Sequence, residues 1–393
     1  MRKWGWIALA LLALAATGFF VIAPGRIEAG MNRIDGKPLI AVGAEARALH
    51  ATLTIVDLHS DTLMWDRELT QRSSRGHEDL PRLQAGNVAL QVFSSVTKTP
   101  RGQNYDANGA DTDNITLLAV AQLQPPRTWG SLLERSLFHG AKLDRAAAGS
   151  RGALVKVADD AALDALLAAR TTGKRPVGGL LSIEGLQSLE GDIGNLDRLH
   201  AAGFRMAGLT HFFDNDLAGS MHGLRKDGLT AKGRKAIGRM EALGMIVDIA
   251  HCSHRCVADV LAIARRPVIS SHGGVQATCK VNRNLTDEEI RGVARTGGVI
   301  GIGYWEGAVC STDPRATAKA IRHVRDLVGI DHAALGSDYD GATTVRFDTA
   351  QLAQVTQALL DAGFVPDEVR KVMGENALRV IRAGIVPQGA PPQ

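Results

Sequence analysis

Short apolar, β-branched runs alternate with longer amphipathic stretches along most of this chain, a pattern that is typical of βα units. Eight runs each have the length of one buried strand. They cover residues 54–59, 89–95, 178–185, 204–211, 245–252, 267–272, 298–304 and 332–341. The pattern therefore predicts a single (β/α)8 barrel of the TIM type over residues 44–385, followed by a disordered tail at residues 386–393.

The stretches between the runs predict the connecting helices. Helical periodicity is clearest over residues 158–170, 230–244, 286–297 and 313–329. Thr286, with Glu289 three positions later, predicts a capping box at the start of one of these helices. Residues 96–177 are too many for one crossover connection, so we expect a helical insertion between strands 2 and 3 that lies over the barrel mouth.

The N-terminus predicts a membrane segment. Arg2 and Lys3 precede an uncharged run over residues 4–23, which is about long enough to cross the hydrocarbon core of a bilayer. The positive charges favour the cytoplasmic side, which places the rest of the chain outside the cytoplasm. We interpret residues 1–24 as a signal anchor, with a cleaved signal peptide as the alternative, and residues 25–43 as a linker.

Composition adds little to this interpretation. The chain has 393 residues and a net charge of +4, and its basic residues are scattered rather than clustered among aromatic residues. A nucleic-acid partner is therefore not expected. Four cysteines are too few for a disulfide scaffold and lack the paired spacing of a zinc site. In an oxidising compartment, Cys279 and Cys310 can form one bridge if the loops that carry them are neighbours.

Ionisable side chains end the predicted strands, at the rim where barrel enzymes carry their active sites. These side chains belong to His59, Glu184, His211, His251, His272 and Asp338. His59 and Asp61 are two residues apart, so both would point to the same side of a strand and could hold one cation. Any one of these residues can equally be a capping or hydrogen-bonded side chain. Together, however, three histidines and two carboxylates form a ligand set that suits zinc or a similar divalent ion.

The number of candidate ligands favours two metal ions. Five ligands exceed what one open catalytic zinc usually takes, so we predict two Zn2+ ions per chain. Glu184 lies in sequence between the pair His59 and Asp61 and the pair His251 and His272, and its two carboxylate oxygens can serve two cations. We therefore predict that Glu184 bridges the two ions, and that a bridging hydroxide attacks a substrate carbonyl.

Three further residues are candidates for the chemistry. Asp338 can be a further ligand or a general base that passes a proton to the leaving amine, whereas the neighbouring Asp340 suits a turn-forming role. His211 can donate to the oxyanion that develops at the carbonyl. Arg283 can hold a substrate carboxylate through two hydrogen bonds, although a lone arginine is more often a surface residue.

The motifs HSD, IEG, LTH, AHCS, SSHGG, NRN and GSDYDG, in this order, resemble those of the renal (membrane) dipeptidase family of dinuclear zinc peptidases. The resemblance covers roughly residues 51–383. It implies that His59 and Asp61 bind one zinc ion, that His251 and His272 bind the other, and that Glu184 bridges the two.

The resemblance also implies the roles of the remaining site residues and the activity. Asp338 corresponds to the catalytic aspartate, His211 to the histidine near the substrate carbonyl, and Arg283 to the arginine that binds the carboxylate of the dipeptide. Cys279 and Cys310 match positions that are bridged in mammalian members. The expected activity is hydrolysis of free dipeptides, including those with a C-terminal D-residue, by a homodimer. Mammalian members have a C-terminal lipid anchor, whereas the apolar segment here is N-terminal.

Two alternatives remain from other classes. The first is a barrel amidohydrolase that acts on cyclic amides, phosphoesters or amines. Such enzymes commonly begin with an H-x-H motif and often bridge their metals with a carboxylated lysine, whereas this chain has HSD and Glu184. The second is a non-catalytic binding protein anchored in the membrane. Metal content and turnover would separate these alternatives from a dipeptidase.

Overall fold

The computed structural model of the protein describes residues 2–386. The chain begins with a long apolar helical run and then lies against the barrel. The elements of this part are α1 (Arg2–Thr17), a π-helical turn (Gly18–Ile22), α2 (Ala23–Met31), β1 (Arg33–Ile34) and α3 (Ala44–Thr52). The segment interpreted as a linker thus contains most of α2 and all of β1. Most of the tail expected at residues 386–393 lies outside the described residues.

Ten further strands follow in chain order, and eight of them form the barrel. They are β2 (Ile55–Ser60), β3 (Val88–Phe93), β4 (Leu154–Lys156), β5 (Val177–Glu184), β6 (Phe204–Gly208), β7 (Ile246–Asp248), β8 (Ile269–Ser270), β9 (Val299–Ile302), β10 (Ala333–Leu335) and β11 (Thr344–Val345).

The barrel is closed by parallel pairs throughout. Pairing runs from β2 through β3, β5, β6, β7, β8 and β9 to β10, which returns to β2. β4 lies outside this circle, beside the first half of β5, and β11 pairs with β1. The eight predicted runs are therefore the eight barrel strands, and the predicted fold is confirmed.

Helices surround the barrel, and several fill the insertion between its second and third strands. They are α4 (Leu80–Ala85), α5 (Asn114–Ala121), α6 (Arg127–Gly130), α7 (Leu132–Gly149), α8 (Asp160–Thr171), α9 (Asn195–Ala201), α10 (Ala231–Leu243), α11 (His254–Ile263), α12 (Asp287–Arg295), α13 (Glu306–Val309), α14 (Pro314–Val328), α15 (Ala353–Asp361), α16 (Pro366–Arg370) and α17 (Asn376–Gly384). The capping box of Thr286 and Glu289 is present at the start of α12.

Strand alternation places polar residues inside the barrel. Along β2, Val56 and Leu58 belong to an apolar cluster that includes residues of α17. Asp57, one position out of phase, instead accepts a hydrogen bond from the Gln91 side chain of β3 at 3.4 Å. His59 has the same phase as Asp57, so the two-residue period of the strand directs both side chains to the barrel interior.

The N-terminal helical run is long and apolar. Among the described residues, Lys3–Met31 is the one helical stretch whose length and composition would suit a bilayer, with a mean hydropathy of 2.4 in its apolar window. That window is not buried against the rest of the protein. A membrane anchor and a signal sequence share these properties.

Candidate metal centre and substrate cleft

The predicted ligands converge at the C-terminal rim of the barrel. His59 lies within β2, and Glu184 is the last residue of β5. His251 and His272 follow β7 and β8 in the connecting loops, so these two strands end earlier than the predicted runs. His251 has a left-handed backbone with φ of 64°, a conformation that side chains other than glycine seldom adopt. Such strain is typical of functional sites, where the surrounding structure holds it in place.

Glu184 is the centre of the cluster. One of its carboxylate oxygens, Oε1, faces three imidazole nitrogens. The Nε2 atoms of His59, His251 and His272 lie 3.6, 2.9 and 3.3 Å from this oxygen. The other oxygen, Oε2, lies 3.4 Å from Nε2 of His211. One oxygen of this carboxylate therefore faces three imidazoles, and the other faces a fourth.

The spacing of the atoms around His59 fits a divalent metal ion better than a hydrogen-bonded network. Two ligand atoms on one tetrahedral zinc, at bond lengths of about 2.0–2.2 Å, lie about 3.3–3.6 Å apart. His59 Nε2 is 3.4 Å from Oδ1 of Asp61 and 3.6 Å from Glu184. Within residues 2–386, His59 Nε2, Asp61 Oδ1 and Glu184 Oε2 are buried and have no hydrogen-bond partner. Buried polar atoms without partners are costly, and a cation would satisfy all three.

The charges at the centre depend strongly on one another. Although burial opposes the charged form of His59, the carboxylates of Glu184 and Asp61 raise its pKa to about 10. Burial also opposes the ionisation of Glu184, but His211 and His59 hold the pKa of its carboxyl well below the usual range. The protein thus keeps Glu184 as a carboxylate, which is the form that binds metal.

Two buried carboxylates behind the centre were not predicted. The Ser271 hydroxyl donates to Asp248 Oδ2 at 2.5 Å and also lies 2.9 Å from Nδ1 of His272. Asp57 accepts from the backbone N–H of His59 at 3.1 Å. Such contacts fix the orientation of ligating side chains. An acidic residue inside an otherwise apolar strand was the signal that could have identified both carboxylates.

Asp338 also belongs to the centre. It follows β10, has a left-handed backbone with φ of 56°, and is buried. Burial raises the pKa of its carboxyl well above the usual range, because the opposing attraction of His59 is smaller. Asp340, two residues later, lies in a different environment. It is fully buried and forms an ion pair with Arg67, and its carboxylate accepts from the Thr62 hydroxyl at 2.8 Å.

A cavity of about 680 Å³ opens beside the centre. Asp61, Glu184, His211, His251 and Asp338 form its polar floor. This volume is within the range of small-molecule sites and is large enough for a dipeptide.

Arg283 lies in the wall of the same cavity, although its side chain is largely buried. Its guanidinium carbon is 4.8 Å from the ring centroid of Trp305 and 5.9 Å from that of Tyr105. Within residues 2–386, its Nε and Nη2 atoms are buried and have no hydrogen-bond partner. Arg283 is therefore not the surface residue that a lone arginine usually is, and these two donors are not used by the protein's own described residues.

A disulfide joins the two loops that hold this arginine. Cys279 and Cys310 are bonded, with Cα atoms 5.4 Å apart. Cys279 precedes Arg283 in the loop after β8, and Cys310 follows α13, next to Trp305. The bridge therefore fixes the two walls on either side of the guanidinium, and the predicted pairing is present.

His222 is a further buried residue that the sequence did not indicate. Its ring stacks on Phe212 with centroids 4.4 Å apart, and its Nδ1 lies 2.9 Å from the carbonyl oxygen of Tyr105. Burial, with smaller effects of His251 and Arg283, lowers its pKa to about 2. His222 follows no strand, so neither periodicity nor spacing points to it.

Comparisons with known proteins give a consistent result. A family model described as membrane dipeptidase (peptidase family M19) matches residues 43–386. Dipeptidase aclJ of Aspergillus oryzae is 27% identical over 367 residues, which are 87% of this chain and 82% of that protein. An uncharacterised dipeptidase of Schizosaccharomyces pombe is 28% identical over 77% of this chain and 71% of its own length.

Solved structures show the same fold. A metallopeptidase from Rhodobacter sphaeroides, liganded with a phosphinate mimic of the dipeptide L-Ala-D-Ala, superposes with a TM-score of 0.71. It is 21% identical, and the match covers 85% of this chain and 99% of that one. The probable dipeptidase PvdM from Pseudomonas aeruginosa gives a TM-score of 0.72 at 18% identity, over 87% of this chain and 98% of that one.

Proposed function

This chain belongs to the membrane dipeptidase family, peptidase family M19, and we propose that it hydrolyses free dipeptides at a centre of two zinc ions. That the chain is a metal-dependent dipeptidase follows from the family. The proposal adds the identity and number of the metal ions and the residues that hold them. The observation that carries it is the convergence of three imidazole Nε2 atoms on one oxygen of Glu184.

We assign the ligands in two groups. His59 and Asp61 would hold one ion, His251 and His272 would hold the other, and Glu184, which lies against both groups, would be shared by the two. Nitrogen and oxygen donors in this mixture suit zinc, which binds them in compact tetrahedral sites. The buried atoms of His59, Asp61 and Glu184 that have no partner within residues 2–386 support this assignment. When bound, the ions would activate water at neutral pH and polarise the substrate carbonyl.

Two residues act on the reacting atoms in this proposal. Asp338 accepts the proton of the attacking water and delivers it to the leaving amine. Its position in the floor of the cavity supports this role, and burial raises the pKa of its carboxyl well above the usual range. His211 donates to the carbonyl oxygen as negative charge develops there, since its Nε2 lies 3.4 Å from Glu184 at the edge of the centre.

Arg283 binds the C-terminal carboxylate of the dipeptide in this proposal. A planar guanidinium can form two parallel hydrogen bonds with a carboxylate. Trp305 and Tyr105 lie against the guanidinium, so it is held in place before substrate arrives. A site that binds this carboxylate would select substrates that end one residue after the scissile bond over C-terminally extended peptides and C-terminal amides.

The substrates we propose include dipeptides with a D-residue at the C-terminal position. The similar Rhodobacter sphaeroides structure is liganded with a mimic of L-Ala-D-Ala. A carboxylate held by Arg283 leaves the C-terminal side chain free to point in either direction, since neither the guanidinium nor the carboxylate is chiral.

We also propose that residues 1–24 anchor the protein in a membrane, with the catalytic domain outside the cytoplasm. The apolar window and the flanking basic residues support this orientation. The disulfide between Cys279 and Cys310 is consistent with an oxidising compartment. A homodimer is proposed from the resemblance to mammalian members. Protease accessibility in intact cells tests the orientation, and light scattering tests the dimer.

The activity is tested with a substrate panel on the full chain, stripped of metal and then supplied with zinc. The panel contains L,L and L,D dipeptides, an N-acetylated dipeptide and a cyclic amide. We expect zinc-dependent cleavage of the free dipeptides, lost in Glu184→Ala and retained in Glu45→Ala, which removes an exposed carboxylate of α3. Cleavage of the cyclic amide alone would identify an amidohydrolase of another kind, and zinc binding without turnover would identify a binding protein.

A further inference from the structure

The N-terminal helical run forms one wall of the substrate cavity. Phe19, Ala23, Ile27 and Met31 all line the cavity. They are four residues apart, so they lie along one side of the helical run. The run thus contributes a continuous apolar surface to a cavity whose floor is the metal centre.

Several contacts hold α2 firmly in this position. Glu28 is only 1% exposed and forms ion pairs with Arg67 and with Arg75, the latter at 2.6 Å. Asn32, at the end of α2, accepts from the backbone N–H of Ala342 at 2.8 Å. β1 then pairs with β11. Because a buried carboxylate pairs with a buried guanidinium, detaching α2 would leave an unpaired charge in the barrel wall.

The apolar wall occupies a different part of the rim from Arg283. Arg283 and Trp305 come from the loops after β8 and β9, the sixth and seventh barrel strands. Ile27 and Met31 face a sector that is built from the loops after the first, second and eighth strands. Its apolar lining residues are Met64, Trp65, Ile115 and Leu118. The metal centre lies in the floor that both sectors share.

We propose that Ile27 and Met31 bind the side chain of the N-terminal residue of the dipeptide and select for an apolar one. The inference rests on the proposed function. If Arg283 holds the C-terminal carboxylate and the scissile bond lies over the metal centre, the N-terminal residue extends into the remaining sector. That sector contains the apolar cluster of Met64, Trp65, Ile115 and Leu118 beside polar residues such as Asn114 and Thr343, and α2 forms its outer wall. Residues 23–31 are therefore a specificity element rather than a spacer.

Exposure supports this role for the two side chains. Ile27 and Met31 are 45% and 43% exposed, and both line the cavity. Apolar area left open in a cavity is available for a ligand to cover. Since each methylene that a ligand buries contributes about fourfold to binding, a leucine side chain should gain at least about tenfold over glycine.

The test compares two substrates on the full chain in lipid nanodiscs with zinc. The quantity measured is the ratio of kcat/KM for Leu-Ala to that for Gly-Ala. We expect the double variant Ile27→Ser, Met31→Ser to lower this ratio by about fivefold or more. Ile34→Ser is the matched control, because Ile34 is 46% exposed and lies in β1, outside the residues that line the cavity. This control should leave the ratio unchanged.

A second variant tests the same surface by a gain of preference. Ile27→Lys places a positive charge on the wall and should raise the use of Glu-Ala relative to Leu-Ala by about tenfold. Ratios that stay as in the wild type in both sets of variants would overturn the inference while leaving the dipeptidase activity intact. If the wild type cleaves no dipeptide at all, the proposed function fails, and this inference fails with it.

Discussion

Replacing Arg283 with methionine should abolish the recognition of the substrate carboxylate without weakening the fold. The side chain is only 8% exposed, and within residues 2–386 its Nε and Nη2 atoms lack hydrogen-bond partners. A structural arginine would show the opposite, namely donors that are satisfied by the protein. Methionine keeps the apolar contacts with Trp305, and it removes the positive charge and the N–H donors of the guanidinium.

The expected loss follows from the hydrogen bonds that disappear. Truncating one partner of a buried charged pair costs about 2–5 kcal/mol, and every 1.4 kcal/mol is tenfold. We therefore expect kcat/KM for Ala-Ala to fall by about 30-fold to 4,000-fold in Arg283→Met. The kcat/KM of Arg283→Lys should lie between those of the wild type and Arg283→Met, because lysine keeps the charge but cannot form two parallel hydrogen bonds.

The assay compares Ala-Ala with its C-terminal amide, which lacks the carboxylate. The wild type should strongly prefer the acid, and Arg283→Met should lose this preference by the same factor. Unfolding by denaturant should show the variant to be at least as stable as the wild type, since an unpaired buried charge has been removed. An equal loss of kcat/KM on Ala-Ala and on its amide, or a clear fall in the free energy of unfolding, would refute the assignment of Arg283 to the substrate carboxylate.

Three further predictions concern other residues. Asp338→Asn should lower kcat by about 10²- to 10⁴-fold while zinc content, measured by mass spectrometry, stays at the wild-type level; loss of zinc would make Asp338 a ligand instead. Cys279→Ser with Cys310→Ser should lower the free energy of unfolding by about 3–4 kcal/mol, because the bridge closes a loop with a sequence separation of 31, and an unchanged denaturation midpoint would contradict this. Burial, with smaller effects of nearby cationic side chains, lowers the pKa of His139 to about 3, so below about pH 6.5 the unfolded chain binds a proton that the folded protein does not. Stability should therefore fall by about 2 kcal/mol from this group between pH 7 and pH 5, and His139→Asn should remove that loss; identical pH profiles would show the assignment to be wrong.

The sequence predicts the barrel well because its signals are local. Each strand is a short apolar run. Several of these runs are followed directly by a histidine or a carboxylate, which lies at the C-terminal rim of the barrel. His59 and Glu184 could be identified because a charged residue at the end of a buried strand is unusual, and several such residues recur in order. The geometry then brings these side chains within about 3–4 Å, as convergence at one rim requires.

Other features could not be predicted because they depend on contacts between distant segments. Residues 25–43 look like a linker, since α2 is short and carries Gly25, Arg26 and Gly30, which give no amphipathic pattern. Their position depends on Glu28, whose partners Arg67 and Arg75 lie some forty residues later in a loop without regular structure. Asp57 is a different case. Its place inside an apolar run is a visible signal in the sequence, but its hydrogen bond with the backbone N–H of His59 follows only from the fold.

The most direct test of the two-metal centre is a zinc titration of the metal-free full chain, with bound zinc and dipeptide hydrolysis measured on the same samples. We expect two zinc ions per chain, with full activity only when both are bound, and we expect Glu184→Gln to lose both zinc and activity while it stays folded by circular dichroism. Full activity with one zinc ion per chain, or with Glu184→Gln, would contradict a centre in which this carboxylate bridges two ions.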